Sequence, residues 1–466
     1  MHATPAACSL VVGSMAGTHM RLAVKTLLVL GMTLAILVSL TMIRSTIHER
    51  QAYRLQAVAD IARSYAGAQA LSGPVLVVPY VETAETEEKD AQGTIRKVIR
   101  QQGGRWTFFP STLEVSGHLQ PDIRKRGLHE VRTYEMKGTA IAAFEARIPT
   151  DGNPLRPRRI GEPWLGYGIA DVRGLVGTPQ LVVDGVGRLV EQGTRDGQGI
   201  HARLPVPAAG ENIRLDTRLE FVLGGTESLA FVPLGRSNRF AVDSSWPHPQ
   251  FTGSFLPRSR TIDDRGFRAN WEISSLATNA RRQYLEGRAL PGGSSAQAGQ
   301  TSDAQGVDAV GLSLVDPVNV YTQADRASKY GLLFVLLTFV GFFMFELIKQ
   351  LPIHPIQYGL VGLALAIFFL LLVSLSEHVE FGVAYLVSSI ACIGLLGIYL
   401  SAVLRSVARG TGFATMLAML YAALYGLLVS EDNALVLGAG MLFVILAAIM
   451  LITRKVDWYQ LGRPVP

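Results

Sequence analysis

Trp246-Pro247-His248-Pro249 sets an indole and an imidazole beside two rigid prolines. Such a string can build a binding surface or, through His248, offer a metal ligand. A lone histidine with no Cys, Asp or Glu at ligand spacing is a weak metal signal, so a structural turn with Trp246 in the core is the first reading. Glu377-His378-Val379-Glu380 has better metal-ligand spacing, yet acidic residues in a short connection between apolar segments also serve topology. Glu346, near the end of an apolar segment, could relay protons or couple to an ion. Lys349, three residues on, offers the plainer role of ion-pair partner. Arg124-Lys125-Arg126 and the arginines from 156 to 159 suit an anionic partner, or simply a solvated face. The chain lacks G-x-S-x-G, H-E-x-x-H, a Walker loop, G-x-G-x-x-G after a strand, and C-x-x-C. No catalytic residue, cofactor or metal is therefore expected, and a non-enzymatic role comes first.

These candidates sit on two kinds of sequence. With 49% hydrophobic and 17% charged residues the chain is too apolar for an ordinary soluble protein. The polar sequence lies almost wholly between 44 and 329. One apolar run precedes it at 26–43, and five follow, at 330–348, 357–376, 381–404, 412–430 and 434–453. Each meets the requirement of roughly 20 apolar residues for crossing about 30 Å of hydrocarbon. The expectation is a short N-terminal segment (1–21), a first transmembrane helix (22–43), a large polar domain (44–329), a bundle of five transmembrane helices (330–453) and a tail (454–466).

Loop charge orients them. Lys349, then Arg405 and Arg409, then Arg454, Lys455 and Arg463 mark the cytoplasmic side. Glu377 with Glu380, and Glu431 with Asp432, mark the opposite side. Both termini are then cytoplasmic and the large domain is outside. Arg44, Arg50 and Arg54 after the first run disagree with Arg21 and Lys25 before it, but a long translocated domain constrains orientation weakly. No small-x-small site follows the first run, which reads as an uncleaved anchor. Translation from Met20 is an alternative to Met1, and Cys8 lacks the preceding apolar segment a lipidation site needs. The outer domain holds neither of the two cysteines, and Cys392 reads as a small buried hydrophobe in a span. An outside location directs the basic clusters to lipid headgroups or cell-wall polymers and excludes nucleic acid.

Within the polar domain the dominant period is two. Ile213, Leu215, Leu219, Phe221 and Leu223 share one face of a strand whose other face is wet. Similar runs occur at 74–81, 106–110, 113–119, 131–146, 229–234 and 238–246, and Asp184-Gly185 reads as a hairpin turn. Helix is expected at 49–69 and near 316–329. The Gly, Ser, Ala and Gln of 290–306 predict a flexible loop. The fold class is an all-β, sandwich-like domain carried by six transmembrane α-helices.

Ser328–Glu346 (SKYGLLFVLLTFVGFFMFE), IHPIQYGLVGLALAIFFLLLVSLSEH (353–378), GIYLSAVLRS (397–406) and LYGLLVSED (424–432) resemble the membrane block of the CreD family of inner-membrane proteins. GPVLVVPY (73–80), FVPLGR (231–236), SWPHPQFTGSFLP (245–257) and GFRANWEISSLATN (266–279) are similar to that family's soluble-domain signatures in the same order. The chain departs from the pattern before Met20, at His129, where an aromatic is expected, and in the insertion near residue 295. The resemblance implies a Gram-negative inner-membrane protein of a stress regulon, tied to envelope integrity and to tolerance of β-lactams and bacteriocins, and it implies no reaction. The expected partners are membrane lipids and an envelope protein, lipid or wall component. Trp246, His248, Arg124, Lys125 and Arg126 are the candidate contacts, and Glu346, Glu377 and His378 are the polar candidates at the membrane. The alternative is a transporter or lipid conduit using Glu346.

Overall fold

The computed structural model describes residues 7–89, 95–127, 129–150, 158–194, 197–292, 306–314, 320–349, 354–430 and 434–454. The chain forms two compact units, Arg54–Pro317 and the combination of Met1–Tyr53 with Val318–Pro466. Helix α1 (Ala7–Ser64) supplies residues to both.

The Arg54–Pro317 unit is built on two sheets. The first is nine-stranded, in the order β14 (Pro249–Gly253), β17 (Val310–Leu314), β12 (Ser228–Phe231), β1 (Gln69–Lys89), β6 (Trp164–Ile169), β10 (Gly197–Arg203) and β9 (Glu191–Thr194). Strands β2 (Ile95–Phe108) and β5 (Arg159–Ile160) also pair with β1. The second is eight-stranded: β15 (Ser259–Asp263), β16 (Gly266–Ser274), β13 (Ser237–Ser244), β3 (Thr112–Arg126), β4 (His129–Arg147), β11 (Asn212–Thr226), β7 (Gln180–Val183) and β8 (Val186–Arg188).

One apolar core takes Leu76, Tyr167, Phe231 and Leu312 from the first sheet and Val115, Phe144, Phe240 and Trp271 from the second, so the sheets pack as a sandwich. Large side chains buried this fully contribute roughly 1.5–3 kcal/mol each. Phe240→Ala alone would cost about 3–5 kcal/mol through lost burial and the cavity left behind.

Strand β11 shows the expected alternation, with Leu219, Phe221 and Leu223 buried and Arg218 and Glu220 exposed. At Val75–Val78 the alternation fails for a physical reason. Leu76 and Val78 enter the sandwich core, while Val75 and Val77 pack on the other face against Val232, Leu234, Val307 and Ala280 of α2 (Ala280–Leu285). A sheet covered on both faces needs a continuous apolar run. Asp184 and Gly185 take φ of 51° and 77° between β7 and β8, the paired left-handed turn that suits a two-residue hairpin.

Several expectations are corrected. Helix α1 ends at Ser64 and β1 starts at Gln69, so the expected helix to 69 stops early, its last carbonyls taken up by side chains of the sandwich. Strands β1 and β2 pair from Leu76↔Phe108 out to Lys89↔Ile95, far beyond the short runs anticipated. The outer part of that hairpin has no apolar face to betray it in sequence. Trp246, expected in the core, is half-buried at its margin. The all-β reading omitted α2 and two short 3-10 turns at Val172–Gly174 and Ser275–Ala277. Of the expected loop 290–306, residues 293–305 lie outside the described residues, as do 316–319, Glu431, Asp432 and the tail from 455.

In the other unit five helices among the described residues are long and apolar enough to cross a membrane: Gly31–Ser64, Thr322–Phe343, Pro355–Ser376, Phe381–Val403 and Val407–Val429. They belong to α1, α3 (Val320–Lys349), α4 (Pro355–Ser376), α5 (Phe381–Val403) and α6 (Val407–Val429). Helix α7 (Ala434–Thr453) adds a shorter described apolar stretch, Val436–Ala447. Because α6 begins at Val407, Arg409 is helical, and the loop expected at 405–410 shrinks to Leu404, Arg405 and Ser406. Ile36 and Leu40 of α1, Phe334 and Phe342 of α3, Leu365 and Phe368 of α4, Tyr385 of α5 and Phe413 and Tyr421 of α6 share one core. Tyr421 meets Phe334 and Phe368 edge-on at centroid distances of 4.5 and 4.6 Å.

Candidate functional site

Strand alternation puts Arg124 and Arg126 on one face of β3 and Lys125 on the other. All three are engaged within the chain. The Arg124 guanidinium lies 3.9 Å from the centre of the Tyr65 ring, Arg126 Nε is 3.0 Å from Asp60 Oδ2, and Lys125 Nζ is 3.0 Å from Glu130 Oε1. The basic cluster expected to meet a partner thus also grips the end of α1 and its own hairpin, its side chains remaining exposed. Arg158, of the second basic cluster, pairs with Glu82 Oε2 at 2.9 Å and lies over the rings of Tyr80 and Trp106. Arg156 lies outside the described residues.

The same helix end is held from the first sheet. Asp171 precedes the 3-10 turn Val172–Gly174 and caps it, its Oδ1 accepting from the Arg173 N–H at 3.1 Å. Its Oδ2 accepts from Gly67 N at 3.0 Å. Arg173 donates to both carboxylate oxygens, at 2.9 and 2.6 Å, and to the carbonyls of Arg63 and Ala62 at 2.6 and 3.2 Å. A helix leaves its last carbonyls without internal partners, and here a guanidinium fork supplies them. Thr226 Oγ1 donates to Ala66 O at 2.6 Å. Gln69 bridges, donating to the carbonyls of Asp171 at 2.8 Å and Gly224 at 3.0 Å and accepting from Asp171 N at 3.2 Å.

Burial works against the ionised Asp171 carboxyl. The hydrogen bonds from Arg173 and Gly67 outweigh it and hold the group below the usual carboxylate range. Beside this clamp lies a cavity of about 190 Å³ bordered by Ala62, Arg63, Gly67, Asp171, Arg173 and Gln198. Asp171, Arg173 and Gln69 escaped the reading of the sequence. The only local signal was an aspartate two residues before an arginine, which is commonplace.

Trp246 Nε1 donates to His248 O at 3.0 Å, and the Arg132 guanidinium lies 4.5 Å from the indole ring centre. The indole is thus fixed in a turn, and His248 is exposed. Glu377 and His378 are put to separate uses. Glu377 Oε1 is 3.7 Å from Arg50 Nε, while His378 Nδ1 is 3.1 Å from Ser374 O. Among the described residues no group of three or more His, Cys, Asp or Glu could hold a metal ion. Glu346 Oε2 accepts a 2.7 Å hydrogen bond from the Tyr358 hydroxyl of α4. The Lys349 side chain, its expected partner, lies outside the described residues.

The three arginines after the first apolar run all have acidic partners. Arg44 Nε is 3.0 Å from Asp325, Arg50 pairs with Glu377, and Arg54 Nη2 is 3.7 Å from Glu227. Such geometry serves packing, anchoring and non-covalent recognition.

The family model for "Inner membrane protein CreD" matches residues 21–459. An inner membrane protein CreD of Escherichia coli (strain K12) is 33% identical over 440 residues, covering 93% of each chain. The description names a location and no reaction. Among solved structures, a mutant M1 zinc metallopeptidase from Deinococcus radiodurans aligns with 44% of this chain and 42% of its own at 9% identity and a TM-score of 0.21. The M1 zinc metallopeptidase itself from that organism aligns at 8% identity, covering 48% of this chain and 53% of its own, with a TM-score of 0.20. Scores that low carry no argument about fold or chemistry.

Proposed function

The chain belongs to the CreD family of inner-membrane proteins, and from that premise we propose that it supports cell-envelope integrity and tolerance of β-lactams and bacteriocins as a non-enzymatic binding or scaffold protein. The observation that carries this reading is the clamp. Arg124, Arg126, Arg173 and Thr226 fasten the β-sandwich to the end of α1, the helix that also contains the apolar segment after Gly31. A domain fastened to the end of such a helix keeps its outer surfaces for a partner. Its ligand is a protein, lipid or wall component of the envelope, alongside the surrounding membrane lipids.

In this proposal the protein crosses six times, α7 included, with both termini in the cytoplasm and the sandwich in the periplasm. Loop charge supports the direction; Arg44, Arg50 and Arg54 run against it, but a long translocated domain constrains orientation weakly.

Labelling with a membrane-impermeant thiol reagent tests the orientation, using single cysteines at Ser259 and Ser406 in a chain lacking Cys8 and Cys392. The expected result is labelling of intact spheroplasts at 259 only; the reverse pattern overturns the topology. Photo-crosslinking in cells from Leu276, 96% exposed, and Leu189, 80% exposed, tests the binding reading. Recovery of an envelope component from either position supports it. Failure at both, together with wild-type β-lactam tolerance when the sandwich is deleted and the helical unit still accumulates, refutes it.

A further inference from the structure

Serine and threonine hydroxyls inside an apolar helix ordinarily donate back to their own preceding turn. In the helical unit Ser39 does so to Ala35 O at 3.3 Å, Thr338 to Phe334 O at 2.9 Å, Ser376 to Val373 O at 2.8 Å and Ser401 to Gly397 O at 2.7 Å. Ser388 and Ser389 of α5 depart from that pattern. They are 1% and 6% exposed; Ser388 Oγ has no hydrogen-bond partner among the described residues, and Ser389 Oγ makes no well-formed hydrogen bond, its polar neighbour being the Tyr385 hydroxyl. The Tyr421 hydroxyl of α6, on a residue 2% exposed, likewise makes no well-formed hydrogen bond, its polar neighbour being the weakly bonding Cys392 thiol.

Their placement is not scattered. Tyr385, Ser388, Ser389 and Cys392 follow the spacing i, i+3, i+4, i+7 and so share one face of α5. Tyr421 lies against that face, its carbonyl accepting from Tyr385 Oη at 2.8 Å and its hydroxyl beside the Cys392 thiol. Small residues at such a contact let two helices approach closely, but alanine does this without burying an oxygen. One hydroxyl without a partner and two with poor ones, buried in an apolar bundle, leave hydrogen-bonding capacity that hydrocarbon cannot meet.

We propose that this face of α5, closed by Tyr421, is an internal hydration site whose ligand is a small cluster of water molecules held by the hydroxyls of Ser388, Ser389 and Tyr421. The chemistry selects water over an ion. Helices α4 and α5 contain no Asp, Glu, Lys, Arg or His, and the only such residue of α6 is Arg409 in its first turn. The ring of Phe368, 5.6 Å from that of Tyr385 and 4.6 Å from that of Tyr421, walls the site and limits its size. Each water can both donate and accept, typically making about three hydrogen bonds in a buried site. The inference does not depend on what the sandwich binds.

X-ray radiolytic footprinting of the full chain in nanodiscs tests it, since hydroxyl radicals formed from bound water mark the side chains beside it. Tyr421 and Cys392 are expected to be modified faster than Tyr134, which is fully buried but donates to Ser228 O at 2.6 Å. In the Ser388→Ala/Ser389→Ala variant their modification is expected to fall to the Tyr134 level, with Ser389→Ala alone intermediate. Modification of Tyr421 and Cys392 no faster than Tyr134 in the unaltered protein overturns the proposal, whether or not the variants fold. Undiminished modification in a folded double variant overturns it as well.

Discussion

Replacing Arg173 by alanine removes four hydrogen bonds at once, and the structure indicates how much each matters. The Arg173 side chain is 55% exposed, so its pair with Asp171 is screened and contributes at most ~1 kcal/mol. The two bonds to Arg63 O and Ala62 O cap the end of α1 at ~0.5 kcal/mol each, the low end for hydrogen bonds exchanged with water. Asp171 is only 15% exposed, and losing its guanidinium partner leaves part of its carboxylate poorly solvated. The total is about 2 kcal/mol, a fall of roughly 4–8 °C in Tm for a domain of this size. Four of the five tryptophans, at 106, 164, 246 and 271, lie in the Arg54–Pro317 unit, so intrinsic fluorescence of the detergent-solubilised chain follows that unit selectively. Arg214→Ala, at an exposed position of β11, serves as the control and should stay within ~0.5 kcal/mol. A double-mutant cycle with Asp171→Ala should show coupling of ~1 kcal/mol. An Arg173→Ala transition within about 1 °C of the unaltered protein, well below the shift expected for that loss, or strict additivity with Asp171→Ala, would refute the clamp.

Acid provides an independent test. Asp171 is held low by Arg173 and Gly67, and Asp308 is held low too: burial opposes its ionisation, but hydrogen bonds from Asn279 N, Gln283 and Thr278 prevail. A carboxylate depressed in the folded state adds stability above its unfolded value of about 3.9 and loses it as pH falls through the folded value. Tm measured from about pH 7 to about pH 3 should therefore fall less steeply in Asp171→Asn and Asp308→Asn; acid limbs parallel to that of the unaltered protein would contradict the assignment. A Cβ at Gly225 would clash with the Tyr134 hydroxyl and lie 2.8 Å from Gln69 Cγ, whereas one at Gly187 meets nothing within 4 Å. Gly225→Ala should cost ~1–3 kcal/mol in urea unfolding and Gly187→Ala little, and equal effects would be evidence against the packing described. Glu346→Gln keeps an acceptor for Tyr358, so under the binding reading β-lactam tolerance should persist at normal protein levels; its loss would favour the conduit instead.

Which of these groups could be read from the chain depends on how far apart the interacting residues lie. The Asp184-Gly185 hairpin and the alternation of β11 are decided by close neighbours in the chain, and both were legible. The Val75–Val78 run concealed its two-sided burial because its second cover comes from Val232, Leu234, Ala280 and Val307, distant in the chain. Arg124-Lys125-Arg126 invited a partner reading because composition records charge but not the location of the countercharge. Asp60 and Tyr65 lie at the end of α1, far earlier in the chain, and closure of the β3–β4 hairpin onto them makes the exposed cationic patch an internal fastening as well. At Glu346 spacing suggested Lys349, and packing adds a bond from Tyr358 on the next helix that spacing could not announce. Long flexible side chains take whichever partner tertiary structure brings near, so their spacing along the chain predicts a site poorly. The hydroxyls of Ser388 and Ser389 are different in kind. Their spacing with Tyr385 and Cys392 was visible, but its meaning came only from burial without a well-formed hydrogen bond, a property of the folded bundle.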